Sequence, residues 1–182
     1  MNSICTKRLR LRLLRVGDAE PIFVLFNNWN VVRWLSSPPW PYTLEHARDW
    51  VSQHDQTNSD DEPRHYVIML GDALIGVIGW RPQMAAPTRE AGPHIGYWLG
   101  EPYWGQGLMT EALGGVVHHL FASRPTSVIY SGVFAGNIAS LRVQEKIGFL
   151  REGERLMHSR PRMTELAHID TVLTRPRYES LS

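Results

Sequence analysis

The run from His94 to Ala112, HIGYWLGEPYWGQGLMTEA, holds residues whose types and spacing could do chemistry. An aromatic, extended segment passes through a short turn into Gly105-Gln106-Gly107 and then into a helix-forming run. Strand, loop and helix N-terminus in that order aim several backbone N–H groups, and the positive end of a helix dipole, at one spot. An anion, most naturally a phosphate, can be held there without a basic side chain, and glycine lets it approach the main chain closely. Glycines in such turns also occur for steric reasons alone, so other segments must decide between the two readings. Cys5 is the single cysteine, which excludes an internal disulfide framework and a multi-cysteine metal site and points to reducing surroundings. Asp55, Asp60, Asp61 and Glu62 lack the glycine and ligand spacing of a calcium loop; they read as a solvated loop, and no metal is expected.

Hydrophobic residues make up 43% and charged residues 20%, an ordinary soluble composition, and 182 residues suit a single domain spanning 1–182. A net charge of +1 without a lysine-rich run suggests no nucleic-acid partner. Lys7, Arg8, Arg10 and Arg12 alternate with leucines and read as the solvated face of a strand rather than a polyanion site. No apolar run reaches signal-peptide or membrane-spanning length, so a cytoplasmic protein without a membrane partner is expected.

The elements that must position the glycine turn follow from periodicity and punctuation. Arg8 to Leu13 alternates as a half-buried strand. Asp18 and Pro21 open a helix from Ala19 to about Asn28, a short helical piece covers Val31 to Leu35, and three prolines break the chain between Ser36 and Pro41. Thr43 caps a helix that turns Leu44, Ala47, Trp50 and Val51 inward. His65 to Leu70, the turn Gly71-Asp72 and Ala73 to Trp80 form a hairpin, with Gly76 and Gly79 marking a bulge or a close neighbour. Pro82 to Pro93 reads as a loop and His94 to Leu99 as a strand. A helix follows from about Gln106 to Ser123, where Gly114 and Gly115 permit a close packing contact. Ser127 to Phe134 is a strand; Asn137 caps a helix stopped by Gly148; Phe149 onward and His168 to Leu173 supply two closing strands.

Two helices with glycine-tipped or capped starts thus follow two strands in succession, and the crevice between those strands is where such a sheet places a ligand. The segments GYWLGEPYWGQGLMTEA and NIASLRVQEKIGF, with the opening TKRLRLRLLRVGDAEPIF and the stretch PPWPYTLEHARDWV, resemble the GNAT acetyltransferase superfamily. More narrowly they resemble the branch that includes the ribosomal-protein-alanine N-acetyltransferases. The resemblance implies one α/β domain with a mostly antiparallel central sheet, splayed middle strands and flanking helices. It implies transfer from acetyl-CoA, used as co-substrate, to an amine. Main-chain groups near Tyr97, Trp98 and Leu99 would hold the pantetheine, and Trp104, Gly105, Gln106, Gly107, Leu108, Met109 and Thr110 would cradle the pyrophosphate. Trp104 and Met109 depart from the family motif, which has Arg or Gln and Gly or Ala at these places. Asn137 corresponds to an asparagine that bonds the pantetheine, or it is an N-cap alone. Ser140 corresponds to a serine that protonates the departing thiolate, or it is a surface serine bonded to backbone.

An amine must lose a proton before it attacks a thioester. Family members often carry a glutamate on the strand matching His94 to Leu99, and this chain has Gly-Pro-His-Ile-Gly instead. His94 is therefore the candidate base, an inert strand histidine being the alternative; Glu90 and Glu111 are lesser candidates. Trp34, Trp40 and Tyr42 would wall an acceptor pocket with acidic residues at its rim. Peptide N-termini and small-molecule amines such as polyamines or aminoglycosides both satisfy that description, a non-catalytic acyl-CoA-binding module is a further alternative, and homodimer formation is left open.

Overall fold

The structure, a computed structural model, describes residues 3–55, 64–85 and 89–181. Among them β1 (Ser3–Cys5), β2 (Leu9–Leu13), β3 (Arg64–Leu70), β4 (Ala73–Gln83), β5 (Gly92–Leu99), β6 (Val128–Phe134), β7 (Leu150–Ser159) and β8 (Thr164–Thr174) form one 8-stranded sheet in the order β1-β2-β3-β4-β5-β6-β8-β7. Each neighbouring pair is antiparallel except β5–β6, which is parallel. The helices are α1 (Ala19–Phe26), α2 (Trp29–Val32), α3 (Leu44–Asp55), α4 (Leu108–Ser123), α5 (Ile138–Ile147) and α6 (Arg175–Leu181). This is the α/β architecture with a mostly antiparallel sheet that the family resemblance implies.

Strand alternation splits the core in two. Ile95, Leu99 and Ile129 point to the face covered by the apolar stripe of α4, from Leu108 through Leu113 and Val117 to Phe121, with Val143 and Ile147 of α5 packed against it. Val67, Val77 and Trp98 point to the opposite face, under Ile22 and Phe26 of α1, Val31 and Val32 of α2, and Ala47 and Val51 of α3. Caps set the helix ends. The Thr43 hydroxyl accepts from the His46 N–H while His46 Nδ1 accepts from the Thr43 N–H, each at 3.2 Å. Gly148 ends α5 with φ +106. Gly76 answers to a close neighbour: a Cβ there would collide with the Trp98 carbonyl oxygen, and the β3–β4 register shifts beside it between Ile68 and Met69.

Several boundaries differ from expectation for physical reasons. β4 runs on to Gln83 and β5 starts at Gly92, with Pro82 opposite Pro93, a register position that needs no N–H from either. α4 starts at Leu108 because Gly107 takes φ +73, outside helical space. β1 and α6 carry no periodic signal. β1 leads into Thr6, whose methyl would lie 2.9 Å from a Cβ on Gly115, so the glycine pair of α4 does admit a close contact. Arg175, at the start of α6, donates to the carbonyls of Phe121, Arg124 and Thr126 and so holds the end of α4. The acidic stretch begins as the last turn of α3; residues 56–63, with Asp60, Asp61 and Glu62, lie outside the described residues. Among the described residues no helix is long and apolar enough to cross a membrane.

His65 gives this fold a pH-sensitive joint. Its ring packs against Trp50 at 5.1 Å and His54 at 4.4 Å, and its Nδ1 is buried without a hydrogen-bond partner. Burial first, and His54 second, push its pKa down to about 4. The folded group therefore stays neutral where the unfolded one, near 6.5, gains a proton, and stability falls as pH drops from about 6.5 toward about 4. Between pH 7 and pH 5 this histidine alone should cost about 2 kcal/mol. Urea unfolding of His65→Gln should show a shallower loss over that interval than the parent chain; equal slopes would remove His65 from the account.

Candidate active site

β5 and β6 pair at one position, His94↔Tyr130. Their outer edges are engaged throughout, β5 with β4 from Gln83↔Gly92 to Gly76↔Leu99 and β6 with β8 from Val128↔Thr174 to Phe134↔His168. Beyond the pinch the two strands part, and a cavity of about 490 Å³ opens between Ile95–Leu99 and Ser131–Phe134. Side chains bridge part of the gap. Ser131 donates its hydroxyl to the Ile95 carbonyl at 3.0 Å, Gln144 of α5 donates to Ser131 Oγ at 3.0 Å, and Thr171 of β8 donates to Gln144 Oε1 at 2.7 Å. Ser131, Gln144 and Thr171 are buried, so each partner is needed.

The glycine turn forms one rim. Gly105 and Gly107 adopt φ +75 and +73, the left-handed region that glycine enters without penalty. A Cβ on Gly105 would meet nothing within 4 Å, so the space beside the turn is open. The first N–H groups of α4 have no intrahelical partner, and Gly107 supplies no side-chain cap. Arg8 holds the turn from below: its guanidinium donates to the Gln106 carbonyl at 3.1 Å and to Glu111 at 2.6 Å. Glu111 also accepts from Thr6 Oγ1 and from the Arg8 N–H, each at 2.6 Å. Burial raises its pKa, these hydrogen bonds lower it, and the hydrogen bonds win, leaving an ionised clamp rather than a proton acceptor. Arg8 is thus part of the turn's support, and Arg12 is likewise engaged, with Asp18 at 2.6 Å; neither is only a solvated strand charge.

α5 forms the other rim. Asn137 Oδ1 accepts the Ser140 N–H at 3.2 Å, so Asn137 is an N-cap. Ser140 Oγ lies 2.9 Å from the Tyr97 hydroxyl across the gap. Burial raises Tyr97 to about 12 against the lowering effect of its bonds to Ser140 and Gln144, so the phenol keeps its proton at neutral pH. Trp104 donates Nε1 to the Leu99 carbonyl at 2.8 Å, tying the turn to the end of β5. Met109 is buried in the α4 core while bordering the cavity, and does not crowd the turn.

The cavity brings together Trp34, His94, Tyr97, Trp98, Leu99, Trp104, Gly105, Gly107, Leu108, Met109, Thr110, Asn137 and Ser140. Gln106 is outside its lining, with its amide donating to the Pro102 carbonyl. Tyr42 is also outside: it is 6% exposed, edge-on to Phe26 at 4.7 Å in the α1–α3 core, where an aromatic near a loop served packing. Trp40 packs at a tilt against Trp29, ring centroids 5.3 Å apart, and is outside the lining. Glu90 accepts from Ser127 at 2.5 Å outside the cavity. His94 lines the pinch, but burial, then Arg81 and His168, push its pKa down to about 4, which makes it a weak base. The expected acidic rim is replaced: Arg81, Arg142 and Lys146 are the lining residues of fixed charge. Sequence reasoning missed these cations along with Gln144, Gly132 and His168, which enter the site only through long-range strand and helix packing.

The model of the acetyltransferase (GNAT) domain family matches residues 8–150. This chain belongs to the GNAT acetyltransferase family. It is 34% identical over 156 residues, 81% of this chain and 83% of the relative, to a probable N-acetyltransferase, YjcK, of Bacillus subtilis. It is 27% identical to the ribosomal-protein-serine acetyltransferase of Escherichia coli, over 81% of this chain and 82% of that one. The Microcin C7 self-immunity acetyltransferase MccE, solved in complex with acetyl-CoA and AMP, shares the fold with a TM-score of 0.78 at 18% identity, covering 92% of this chain and 93% of that one. The chain is accordingly an acyltransferase, and the splayed strands with two helix N-termini at their mouth are where its chemistry is to be sought.

Gln144→Leu should isolate the cost of holding that splay. It leaves the Thr171 hydroxyl without its acceptor and Ser131 without its donor, and should lower the unfolding free energy by about 1–3 kcal/mol in urea titration. A change below about 0.5 kcal/mol would mean the network is not structural.

Proposed function

We propose that this chain transfers the acetyl group of acetyl-CoA to a primary amine, a protein or peptide N-terminus, by direct attack within a ternary complex, as a single domain acting in the cytoplasm. The observation that carries this is the Tyr97–Ser140 hydroxyl pair, 2.9 Å apart, spanning the gap between β5 and the first turn of α5. A thiolate leaving a thioester has an ordinary pKa of about 8.5 and benefits from a proton as the C–S bond breaks. Tyr97, held protonated and hydrogen-bonded to Ser140, can supply it.

The rest of the lining fits an acyl-CoA. The open N–H groups from Gly105 to Thr110 suit its pyrophosphate, Arg142 and Lys146 add positive charge from the α5 rim, and the unpaired edges of β5 and β6 suit an extended chain of amides. The acceptor amine would approach over Val31, Trp34, Leu35, Ser36 and Arg81. A cationic lining there works for the chemistry: burial and like charge both favour the neutral amine, the form that attacks. Cys5 is exposed and outside the cavity lining, which agrees with direct attack rather than a covalent acetyl-enzyme. The family relation to a ribosomal-protein-serine acetyltransferase supports a peptide N-terminus over a small-molecule amine.

Acetyl-CoA titrated calorimetrically into the full chain should bind, and Ser- or Ala-initiated peptides should be acetylated in preference to spermidine or an aminoglycoside. Tyr97→Phe and Ser140→Ala should each lower kcat by about 10²-fold with acetyl-CoA affinity kept. Absence of acetyl-CoA binding would overturn the proposal; preference for the small amines would move the acceptor assignment to them.

A further inference from the structure

The sheet face opposite α4 and α5 carries a group that the proton donor side does not use. His94, Gly96 and Trp98 alternate on that face of β5, and Tyr130, Gly132 and Phe134 on that face of β6. His168 and Asp170 of β8 share it, next to Phe134 and Gly132 in register. His168 Nδ1 lies 3.1 Å from Asp170 Oδ1. Its ring leans over Gly132, where a Cβ would collide with Cε1 and lie 3.0 Å from Nε2. Only glycine at 132 leaves room for this pose. The ring stands edge-on to Phe134 at 5.5 Å and borders the cavity. A Cβ on Gly96 would meet nothing within 4 Å, so there is open space along β5 on this same face.

We propose that His168 is the proton acceptor for the amine, with Asp170 as its positioning residue. This inference rests on the acetyl-transfer reading above. The Asp170 carboxylate fixes the proton on Nδ1 and leaves the lone pair on Nε2 of a ring that borders the cavity. Asp170 also pairs with Arg155, at 2.9 Å, and with Arg89, at 3.7 Å, which in turn pairs with Glu152. The groups facing His168 are thus Asp170 on its own strand, Arg155 on β7, His94 on β5 and, through His94, Arg81 on β4. Burial lowers its pKa and Asp170 raises it, leaving the imidazole neutral at physiological pH and able to accept. His94, flanked by Arg81, is the poorer base of the two.

The step balances. The acceptor enters as R–NH3+ and gives one proton to His168 Nε2, which passes it to solvent. The freed nitrogen lone pair forms the C–N bond at the thioester carbonyl while the C–S bond breaks with its electrons on sulfur. The nitrogen's second proton is lost to water, and sulfur takes one from the Tyr97–Ser140 pair, which water restores. The products are R–NH–acetyl, CoA thiol and one proton.

Two measurements on the full chain decide this. With acetyl-CoA and a Ser- or Ala-initiated peptide, His168→Gln should lower kcat at pH 7 by about 10²-fold, abolish the acidic limb of the pH profile and leave calorimetric acetyl-CoA binding unchanged. Asp170→Asn should lower kcat while the limb persists at a shifted pH. Independently, 15N NMR of the imidazoles should show neutral His168 protonated on Nδ1, with that preference lost in Asp170→Asn. An unaltered kcat and profile in His168→Gln, or neutral His168 protonated on Nε2, would overturn the inference. The NMR result decides alone where neither peptide is acetylated. Failed acetyl-CoA binding by the parent chain would instead strike the acetyl-transfer reading.

Discussion

The structure depends on one unclosed ladder. A parallel pair of strands normally exchanges evenly spaced hydrogen bonds along its length, and backbone groups left without partners in a protein interior are costly. β5 and β6 meet at His94↔Tyr130 and then separate, each fully paired on its far side. Two half-sheets are thereby fixed as separate slabs, and what spans them is made of side chains: Ser131 on the Ile95 carbonyl, Gln144 and Thr171 behind it, and Tyr97 reaching Ser140. α4 and α5 both begin at this opening, so their N-termini converge on the gap as a consequence of where the strands end. The same opening that costs hydrogen bonds supplies the donors and acceptors that an extended amide chain can satisfy.

Charge is distributed to keep this opening rigid. Arg8 anchors the glycine turn through the Gln106 carbonyl and is itself neutralised by Glu111, so the turn's carbonyl is occupied while its N–H groups remain available. An ion pair half in solvent contributes little stability on its own. Its value here is geometric, because Glu111 ties Thr6, Arg8 and α4 to one point. On the other face Asp170 gathers Arg155, Arg89 and His168 in the same manner. The positive groups Arg81, Arg142 and Lys146 stand on the cavity wall, where an anionic ligand would neutralise them.

Most of the scaffold was legible because its signals are local. The Leu9-Leu11-Leu13 alternation, the Thr43 cap, the apolar stripe of α4 and the Asn137 and Gly148 ends of α5 each follow from a few adjacent residues. Two elements were not legible for the same reason: β1 is three residues long, and α6 opens on Arg175-Pro176 and is held by bonds to distant carbonyls. Pro82 and Pro93 read as loop punctuation, yet they face each other inside a ladder. In the site, Ser140 and the glycine turn could be found by spacing, whereas Gln144 and Tyr97 acquire their contacts only when α5 docks on β5 and β6. Tyr42 shows the converse error, since an aromatic beside a proline-rich loop has no local mark that separates pocket wall from core.

The histidines show how burial separates roles that residue type leaves equal. His65, His94 and His168 all lose basicity through desolvation, but their neighbours differ. His65 faces another histidine, and His94 faces Arg81 and His168, whose lowering effects rank ahead of the opposing pull of Asp170. His168 is hydrogen-bonded directly to the Asp170 carboxylate, which opposes the effect of its burial, and Arg155 and Arg89 pair with the same carboxylate. A base that must collect a proton from an amine near neutral pH needs both a lone pair exposed to the substrate and a counter-charge for the imidazolium. Position on the strand nearest the thioester is therefore not the deciding property. What decides is which imidazole has a carboxylate bonded to it and open space along the face it shares: Gly132 makes room for the His168 ring and Gly96 leaves the open space, one strand away from where the sequence directs attention.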